Sequence, residues 1–154
     1  MMGKSREIVS ASNGMIATSQ PLAVLVGLDV LRKGGNAIDA AVAANAMIGL
    51  TEPANCGIGG DLFVIYWDAK TQKLYGLNAS GRAPREATIE KMKARGLSSI
   101  PSHGAEVWTV PGTVDGWAML LERFGTMPLA DLLKPSIEYG KSGFPIRGWG
   151  DPGE

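Results

Sequence analysis

Residues 31–43 read LRKGGNAIDAAVA, and this stretch decides the fold because it ends one helix and begins the next. The pair Gly34 and Gly35 favours a left-handed cap at the carboxyl end of the earlier helix. Asn36 is a typical N-cap residue, and Asp39 occupies the third position of the later helix, where a carboxylate completes a capping box. The stretch therefore predicts two helices joined by a very short turn.

Both predicted helices extend outward from this turn. Pro21 suits the first position of the earlier helix, and large apolar residues then recur at helical spacing, at Leu22, Leu25, Val26 and Val30. The later helix, residues 37–50, is rich in alanine and apolar on nearly all sides. A helix of this kind is packed closely by its neighbours, so we expect it in the interior.

A β-hairpin is predicted after the second helix. Residues 52–53 (Glu-Pro) end that helix, and a glycine turn over residues 56–61 leads into a strongly β-prone run at residues 62–67. A turn at residues 68–72 and a strand at residues 73–78 complete an antiparallel pair. Because a two-stranded hairpin alone is marginal in water, we expect further strands in the same sheet.

The remaining periodic segments are shorter. Residues 15–19 are apolar and predict a strand, whereas residues 88–95, 112–124 and 128–139 predict three more helices. The helix at 112–124 carries an apolar stripe formed by Val114, Trp117, Leu120 and Leu121. Together these elements predict the mixed α/β (α+β) class, with helices around an antiparallel hairpin. We expect the chain to stop part-way through that architecture.

Composition narrows the classes of function. The chain carries 15 Lys and Arg against 15 Asp and Glu, so its charge gives no support for a nucleic-acid or anionic membrane partner. Residues 37–50 are too short to span a bilayer, and residues 1–9 lack the apolar run of a secretory signal. We therefore expect a cytoplasmic protein with no nucleic-acid or membrane partner; a periplasmic or secreted location is the alternative.

This chain has few residues that could bind a metal or act as a nucleophile or base. Cys56 is the sole cysteine and His103 the sole histidine, so neither a cysteine metal cluster nor a Ser-His-Asp triad is assigned. We expect no metal and no cofactor. His103 lies in a polar loop and is interpreted as a surface residue. Cys56 precedes a strand rather than a helix and is interpreted as a small buried thiol.

The glycine turn at residues 56–61 resembles a phosphate cradle only superficially. It lacks the lysine of a P-loop. It also runs from helix to strand, which is the reverse of the order in dinucleotide-binding motifs. Nucleotide binding is therefore rejected, and we expect the turn to let one backbone segment approach another closely.

A candidate ligand site follows the second predicted strand. Asn78, Ser80 and Arg82 lie just beyond the carboxyl end of that strand. Arg82 can hold a carboxylate through two parallel hydrogen bonds, to which Ser80 and Asn78 can add neutral ones. A solvent-exposed turn arginine is an equally supported interpretation of Arg82, and Arg85 competes for the same role.

Several short motifs occur in an order that is specific to one enzyme family. They are GMIATSQP at 14–21, LRKGGNAIDAAVA at 31–43, EP at 52–53 with GIGGD at 57–61, RAP at 82–84, VPGTVDG at 110–116 and GKSGFP at 140–145. The set resembles the large subunit of γ-glutamyltransferases and of γ-glutamyltransferase-like acylases, over about residues 13–146. Residues 1–12 are then interpreted as an amino-terminal extension, and residues 147–154 as an irregular tail where the chain is truncated.

The resemblance implies part of the αββα sandwich of the N-terminal nucleophile hydrolases. In that family a precursor cuts itself into a large and a small subunit, and the new terminal threonine of the small subunit is the nucleophile, with its own α-amine as base. The enzyme cleaves the γ-glutamyl amide of glutathione and passes the acyl group to water or an amino acid. That threonine lies downstream, so no catalytic residue is expected here. The small subunit is the expected partner, and the isolated chain is expected to be inactive.

One position departs from the glutathione-cleaving pattern. Those members carry an arginine for the substrate α-carboxylate four residues before the proline that is Pro84 here, and this chain has Ser80 at that place. Arg82 stands two residues later, in a form that resembles the acylase branch. A cephalosporin-acylase-like amidase is therefore one alternative, and a non-catalytic binding or scaffold domain is another. The predicted substrate-binding residues are Arg82, Ser80 and Asn78.

Overall fold

A computed structural model describes residues 8–144 of the chain. The elements run in the order α1 (Pro21–Arg32), α2 (Ala37–Thr51), β1 (Leu62–Asp68), β2 (Lys73–Ala79), α3 (Ile89–Ala94), a 3₁₀ turn (Ala105–Val107), α4 (Thr113–Phe124) and α5 (Leu129–Ser142). The predicted mixed α/β class, with helices around an antiparallel hairpin, is confirmed. The predicted tail at 147–154 lies outside the described residues, as does most of the predicted extension at 1–12.

The turn between α1 and α2 has the predicted capping chemistry. Gly34 adopts a left-handed φ of 92°, and the amide of Gly35 donates to the carbonyl of Val30 at 3.0 Å. The Asn36 side chain accepts hydrogen bonds from the amides of Ile38 and Asp39, while the Asp39 carboxylate accepts one from the Asn36 amide at 2.8 Å. Four residues therefore suffice to reverse the chain between two helices.

Helix α2 forms the centre of the core, as predicted. It packs against α1, α4 and α5, and its fully buried side chains include Val42 and Met47. Small residues allow this close packing: a Cβ on Gly27 of α1 would lie 3.4 Å from the carbonyl oxygen of Ala40 in α2. The alanine-rich composition of α2 is thus explained by close helix contacts on several sides.

Asp39 joins the start of α2 to the turn between α4 and α5. Its carboxylate accepts hydrogen bonds from the Thr126 hydroxyl at 2.5 Å, the Thr126 amide at 2.9 Å and the Met127 amide at 3.3 Å. Burial by itself would raise the pKa of Asp39, but the hydrogen bonds from Thr126, Asn36 and Met127 outweigh it and hold the pKa below its ordinary value. Asp39 is therefore an ionised, fully satisfied buried carboxylate.

The hairpin packs one of its faces on α4. Leu62 pairs with Ala79 at one end of the ladder, and the rings of Tyr66 and Tyr75 each lie 4.9 Å from the ring of Phe124. The opposite face, which we call the outer face, carries Phe63, Ile65 and Trp67, all exposed in this chain. The sheet has two strands within residues 8–144, and the expectation of further strands stays a prediction.

The predicted strand at residues 15–19 is wrong. This segment has no neighbouring strand in the described part of the chain, and a strand needs a partner for its backbone hydrogen bonds. It contributes to the core instead, because Ile16 packs on Gly27 of α1. Short apolar runs do not distinguish a strand from a segment that covers a helix.

Two helical stripes also differ from prediction. Leu25 of α1 is 53% exposed and Val114 of α4 is 43% exposed, although both were placed among the apolar positions. The buried residues are Ala23, Val26, Gly27 and Val30 in α1, and Thr113, Gly116, Trp117 and Leu120 in α4, so each stripe includes small residues such as Ala23, Gly27 and Gly116. A search for large apolar side chains alone misses such positions.

Candidate functional site

The open end of the hairpin brings two sequence motifs together. Because Leu62 and Ala79 are partners, the glycine turn that precedes β1 and the segment that follows β2 emerge side by side. The first segment ends at Asp61, and the second contains Ser80 and Arg82. The two motifs are therefore neighbours at this end of the hairpin.

Residues 109–113 fasten these two segments to the start of α4. The carbonyl of Gly60 accepts hydrogen bonds from the amides of Gly112 and Thr113, both at 3.1 Å, and from the Thr113 hydroxyl at 2.8 Å. The amide of Val110 donates to the carbonyl of Arg82 at 3.0 Å. The predicted close backbone approach at the glycine turn is confirmed, and three of these four bonds join peptide groups.

Two glycines make this approach possible. A Cβ on Gly81 would lie 1.7 Å from the carbonyl oxygen of Val110, and Gly81 also has a left-handed φ of 70°. A Cβ on Gly112 would lie 2.2 Å from the carbonyl oxygen of Ala79. No other residue type fits at either position without moving the backbone.

A groove of about 500 Å³ opens between the residues that follow β2 and the start of α4. It is lined by Asn78, Ala79, Ser80, Gly81, Arg82, Val110, Pro111, Gly112 and Asp115. The structure thus brings together all three predicted substrate-binding residues, and Arg85 is not part of the lining. Asn78 is exposed and orders the turn, because its side-chain oxygen accepts a hydrogen bond from the Ser80 amide at 3.0 Å.

Asp115 is the groove residue that sequence reasoning missed. It occupies the third position of α4 and is exposed. The motif at residues 110–116 contains it, but nothing in the local pattern indicates that this helix start faces the end of β2. The signal is non-local, because it depends on the hydrogen bonds that hold residues 109–113 against the hairpin.

A second cleft of about 580 Å³ lies on the α2 side of the glycine turn. Its wall includes Asn45, whose side-chain oxygen accepts a hydrogen bond from the Trp117 indole at 2.9 Å. Cys56 borders this cleft and is half-buried, so its interpretation as a buried thiol is wrong. The turn carries Cys56 to the rim of the cleft rather than into the helical core.

Other candidate chemistry is sparse in the part of the chain that the structure describes. His103 is exposed, as predicted. Within residues 8–144, no three His, Cys, Asp or Glu side chains are arranged to hold a metal ion. None of the helices in that range has both the length and the apolar character needed to cross a bilayer.

Comparison with known sequences decides the family. Residues 23–148 match the sequence profile described as Gamma-glutamyltranspeptidase. This chain belongs to the γ-glutamyltranspeptidase family. The motifs from the helix turn to VPGTVDG all fall within the matched range, as do the groove residues.

The relatives of this chain include a glutathione hydrolase, a cephalosporin acylase and a γ-glutamyltranspeptidase. The chain is 40% identical to the glutathione hydrolase proenzyme of Bacillus subtilis, over 92% of this chain and 25% of that protein. It superimposes on cephalosporin acylase from Bacillus halodurans with a TM-score of 0.85 and 48% identity, over 92% of this chain and 26% of the other. It also superimposes on γ-glutamyltranspeptidase from Helicobacter pylori with a TM-score of 0.81 and 33% identity, over 90% of this chain and 40% of the other.

These matches also define how much of the γ-glutamyltranspeptidase fold is present. The chain spans about a quarter of the length of the curated relatives it matches, at the amino-terminal part of the large subunit. Its helices and hairpin are part of the N-terminal nucleophile hydrolase fold of these structural neighbours. The predicted family and fold class are both confirmed.

Proposed function

We propose that this chain is the amino-terminal part of the large subunit of an N-terminal nucleophile amidohydrolase. The whole enzyme cleaves γ-glutamyl amides such as glutathione and passes the acyl group to water or to an amino acid. The observation that carries the proposal is the family match over residues 23–148. The groove supports it, because Asn78 and Ser80 line the groove together with the positively charged Arg82.

In this proposal the reaction needs a group that the rest of the precursor supplies. The hydroxyl of the terminal threonine of the small subunit attacks the amide carbonyl, with its own α-amine accepting the proton. The carbon–nitrogen bond then breaks, the amine leaves with that proton, and an ester of the threonine remains. Water or an amino acid takes the acyl group from this ester. The small subunit of the same precursor is thus the partner.

The residues of this chain bind and orient the acyl group. Arg82 presents a planar fork of donors to the groove, which suits a carboxylate at the end of the acyl chain remote from the scissile amide. The Ser80 hydroxyl adds a neutral hydrogen-bonding group beside it. A carboxylate fixed at this end determines where the amide carbonyl lies relative to the nucleophile.

The test is hydrolysis of γ-glutamyl-p-nitroanilide by the whole protein that contains this chain. We expect turnover after self-cleavage, and none from the 154-residue chain alone. A fully cleaved protein that leaves the substrate intact would contradict the proposed γ-glutamyl specificity. Activity of the isolated chain would contradict the assignment of the nucleophile to the small subunit.

A cephalosporin-acylase-like amidase is the second candidate. Two observations favour it: the sequence of residues 80–84 resembles the acylase branch, and identity is 48% to the Bacillus halodurans acylase against 40% to the Bacillus subtilis glutathione hydrolase. Hydrolysis of glutaryl-p-nitroanilide, which has the terminal carboxylate but no ammonium group, separates the two. Faster turnover of the glutaryl amide would favour the acylase.

A further inference from the structure

The second cleft, on the α2 side of the glycine turn, adjoins the groove. Gly60 lines the cleft and Gly112 lines the groove, and the amide of Gly112 donates a hydrogen bond to the carbonyl of Gly60 at 3.1 Å. Thr113, the next residue, lines the cleft and donates to the same carbonyl. The two cavities therefore share a boundary at these peptide groups, and a molecule that reaches past the boundary places one part in each cavity.

The second cleft carries a single charge, which is negative. Asp61 is the one charged residue among its lining residues, and it is exposed. One oxygen of its carboxylate accepts a hydrogen bond from the Thr109 hydroxyl at 2.9 Å. Within residues 8–144 the other oxygen has no hydrogen-bond partner and the carboxylate forms no ion pair. The charge of Asp61 therefore favours a cation in the cleft.

The remaining surface of the second cleft suits an aliphatic chain. Trp108 and Ile58 line the cleft and are 70% and 66% exposed, so each presents apolar surface to a ligand. The volume of about 580 Å³ accommodates a short chain with a functional group at each end. A short apolar chain that ends in an ammonium group thus matches both the surface and the charge of the cleft.

The chemistry of amide cleavage indicates which part of the substrate this cleft receives. An amide has an acyl part and an amine part on opposite sides of the bond that breaks. In the proposed function the groove binds the acyl part, which leaves the adjoining cleft for the amine part. Transfer to an amine is the reverse of cleavage with a different amine, so the accepting amine occupies the place that the first amine has left.

We propose that the second cleft binds the amine partner of the reaction and that Asp61 selects amines with a second, positively charged group, such as diamines. The inference rests on the proposed function and adds the class of amine. A neutral nitrogen of the diamine attacks the carbonyl of the threonine ester, the carbon–oxygen bond breaks, and the proton lost by the nitrogen returns to the threonine oxygen. The other nitrogen stays protonated and pairs with Asp61.

The test compares three acceptor amines that share a four-carbon chain and differ in the charge at its far end: putrescine, n-butylamine and γ-aminobutyrate. The whole protein is assayed with whichever of γ-glutamyl- and glutaryl-p-nitroanilide it hydrolyses, and the transfer product is measured against the concentration of neutral amine. After correction for its two equivalent nitrogens, putrescine should half-saturate at about a fivefold lower concentration than n-butylamine, as for one exposed ion pair. γ-Aminobutyrate should be the poorest acceptor. Asp61→Asn should bring the three concentrations together.

Two control variants separate the charge of Asp61 from its structural role. Asp61→Asn keeps an oxygen for the Thr109 hydroxyl, whereas Thr109→Val removes that hydrogen bond and keeps the charge. We therefore expect Thr109→Val to preserve the preference for putrescine. Asp131→Asn removes an exposed carboxylate from the first turn of α5, outside the cleft, and should leave all three concentrations unchanged.

Three outcomes would overturn the inference while leaving the proposed function intact, because hydrolysis of the donor tests that function separately. The first is an equal half-saturating concentration for putrescine and n-butylamine in the unsubstituted protein. The second is a preference for putrescine that survives Asp61→Asn. The third is hydrolysis of the donor without transfer to any of the three amines.

Tryptophan fluorescence gives a readout that needs no turnover, because Trp108 and Trp117 both line the cleft. Putrescine should change the emission at a lower concentration than n-butylamine, and Asp61→Asn should remove that difference. If the protein hydrolyses neither donor yet shows this difference, the proposed function fails and the assignment of a cationic amine to the cleft stands. If the two amines give the same titration, that assignment is wrong.

Discussion

Thr126 and Asp39 are 87 residues apart in sequence, and the Thr126 hydroxyl and amide both donate to the Asp39 carboxylate, at 2.5 and 2.9 Å. The same carboxylate caps α2 through the Asn36 amide at 2.8 Å. One buried side chain therefore determines both where α2 begins and where the turn before α5 is held. Its removal affects local and tertiary structure together.

Replacement of Asp39 by alanine should be strongly destabilising. Asp39→Ala leaves the part-buried amides of Asn36, Thr126 and Met127 without their acceptor. We expect the free energy of unfolding to fall by about 3 kcal/mol, measured by urea unfolding. Asp29→Ala is the control, because Asp29 forms only an exposed pair with Arg32 and should change stability by less than about 0.5 kcal/mol. Equal effects of the two substitutions would contradict the role given to Asp39.

The stability of the chain should depend on pH through the same carboxylate. The pKa of Asp39 in the fold lies below its ordinary value, so the folded state binds this proton less readily than the unfolded state. Its contribution is fully present above the unfolded pKa of about 3.9 and is lost as the pH falls through the lower folded pKa.

The measurement of this pH dependence is urea unfolding from about pH 6 to about pH 3, with Asp39→Asn as the comparison. We expect the stability difference between the unsubstituted chain and the variant to shrink toward the acid end. Because the other carboxylates are common to both proteins, they cancel in that difference. A constant difference across the range would show that Asp39 does not titrate as the structure requires.

Gly81→Ala should destabilise the backbone segments that form the groove. The new methyl group would overlap the carbonyl oxygen of Val110, and alanine is also strained at the positive φ of this position. We expect a loss of about 2–4 kcal/mol in the free energy of unfolding. Gly76→Ala in β2 is the matched control, since a Cβ there meets nothing within 4 Å, and it should change stability by no more than about 1 kcal/mol. A fully tolerated Gly81→Ala would contradict the close approach.

In the whole protein, Arg82→Ala should weaken the binding of substrates that carry a carboxylate. We expect KM for γ-glutamyl-p-nitroanilide to rise about tenfold or more, because a charge-assisted pair of hydrogen bonds is lost. Arg82→Lys should restore only part of the affinity, since an ammonium group cannot make the two parallel bonds. Arg85→Ala is the control, because Arg85 does not line the groove. If Arg85→Ala has the larger effect, the assignment of the carboxylate to Arg82 is wrong.

The sequence predicts those features whose signals are local. The cap at Asn36, the left-handed turn at Gly34 and the antiparallel pairing of the two hairpin strands all depend on residues close in sequence, and all were predicted. The segment at 15–19 was predicted wrongly because strand formation depends on a partner that the segment itself does not encode. The same reasoning applies to Asp39, whose cap was predicted and whose bond to Thr126 was not.

The residues of the candidate site also differ in whether a local sequence signal reveals them. Asn78, Ser80 and Arg82 were found because they lie at or just beyond the end of a predicted strand, within five residues of one another. Asp115 was not, because it reaches the groove only after residues 109–113 bond to Gly60 and Arg82. The need for glycine at 81 has the same origin, since the atom it avoids belongs to Val110. A site assembled from distant segments is visible only once those segments are packed.

The bonds that hold this groove together have a consequence for how such enzymes diverge. The hydrogen bonds that support the groove are made by the peptide groups of Gly60, Arg82, Val110 and Gly112. The polar side chains on its surface are those of Asn78, Ser80, Arg82 and Asp115. Substitutions at Ser80, Arg82 and Asp115 leave the hydrogen bonds between these peptide groups in place, so the surface that meets the acyl group can change while its supporting backbone stays the same. The side chains that line the groove and the peptide groups that support them are thus largely separate, so a point mutation can alter the first without the second.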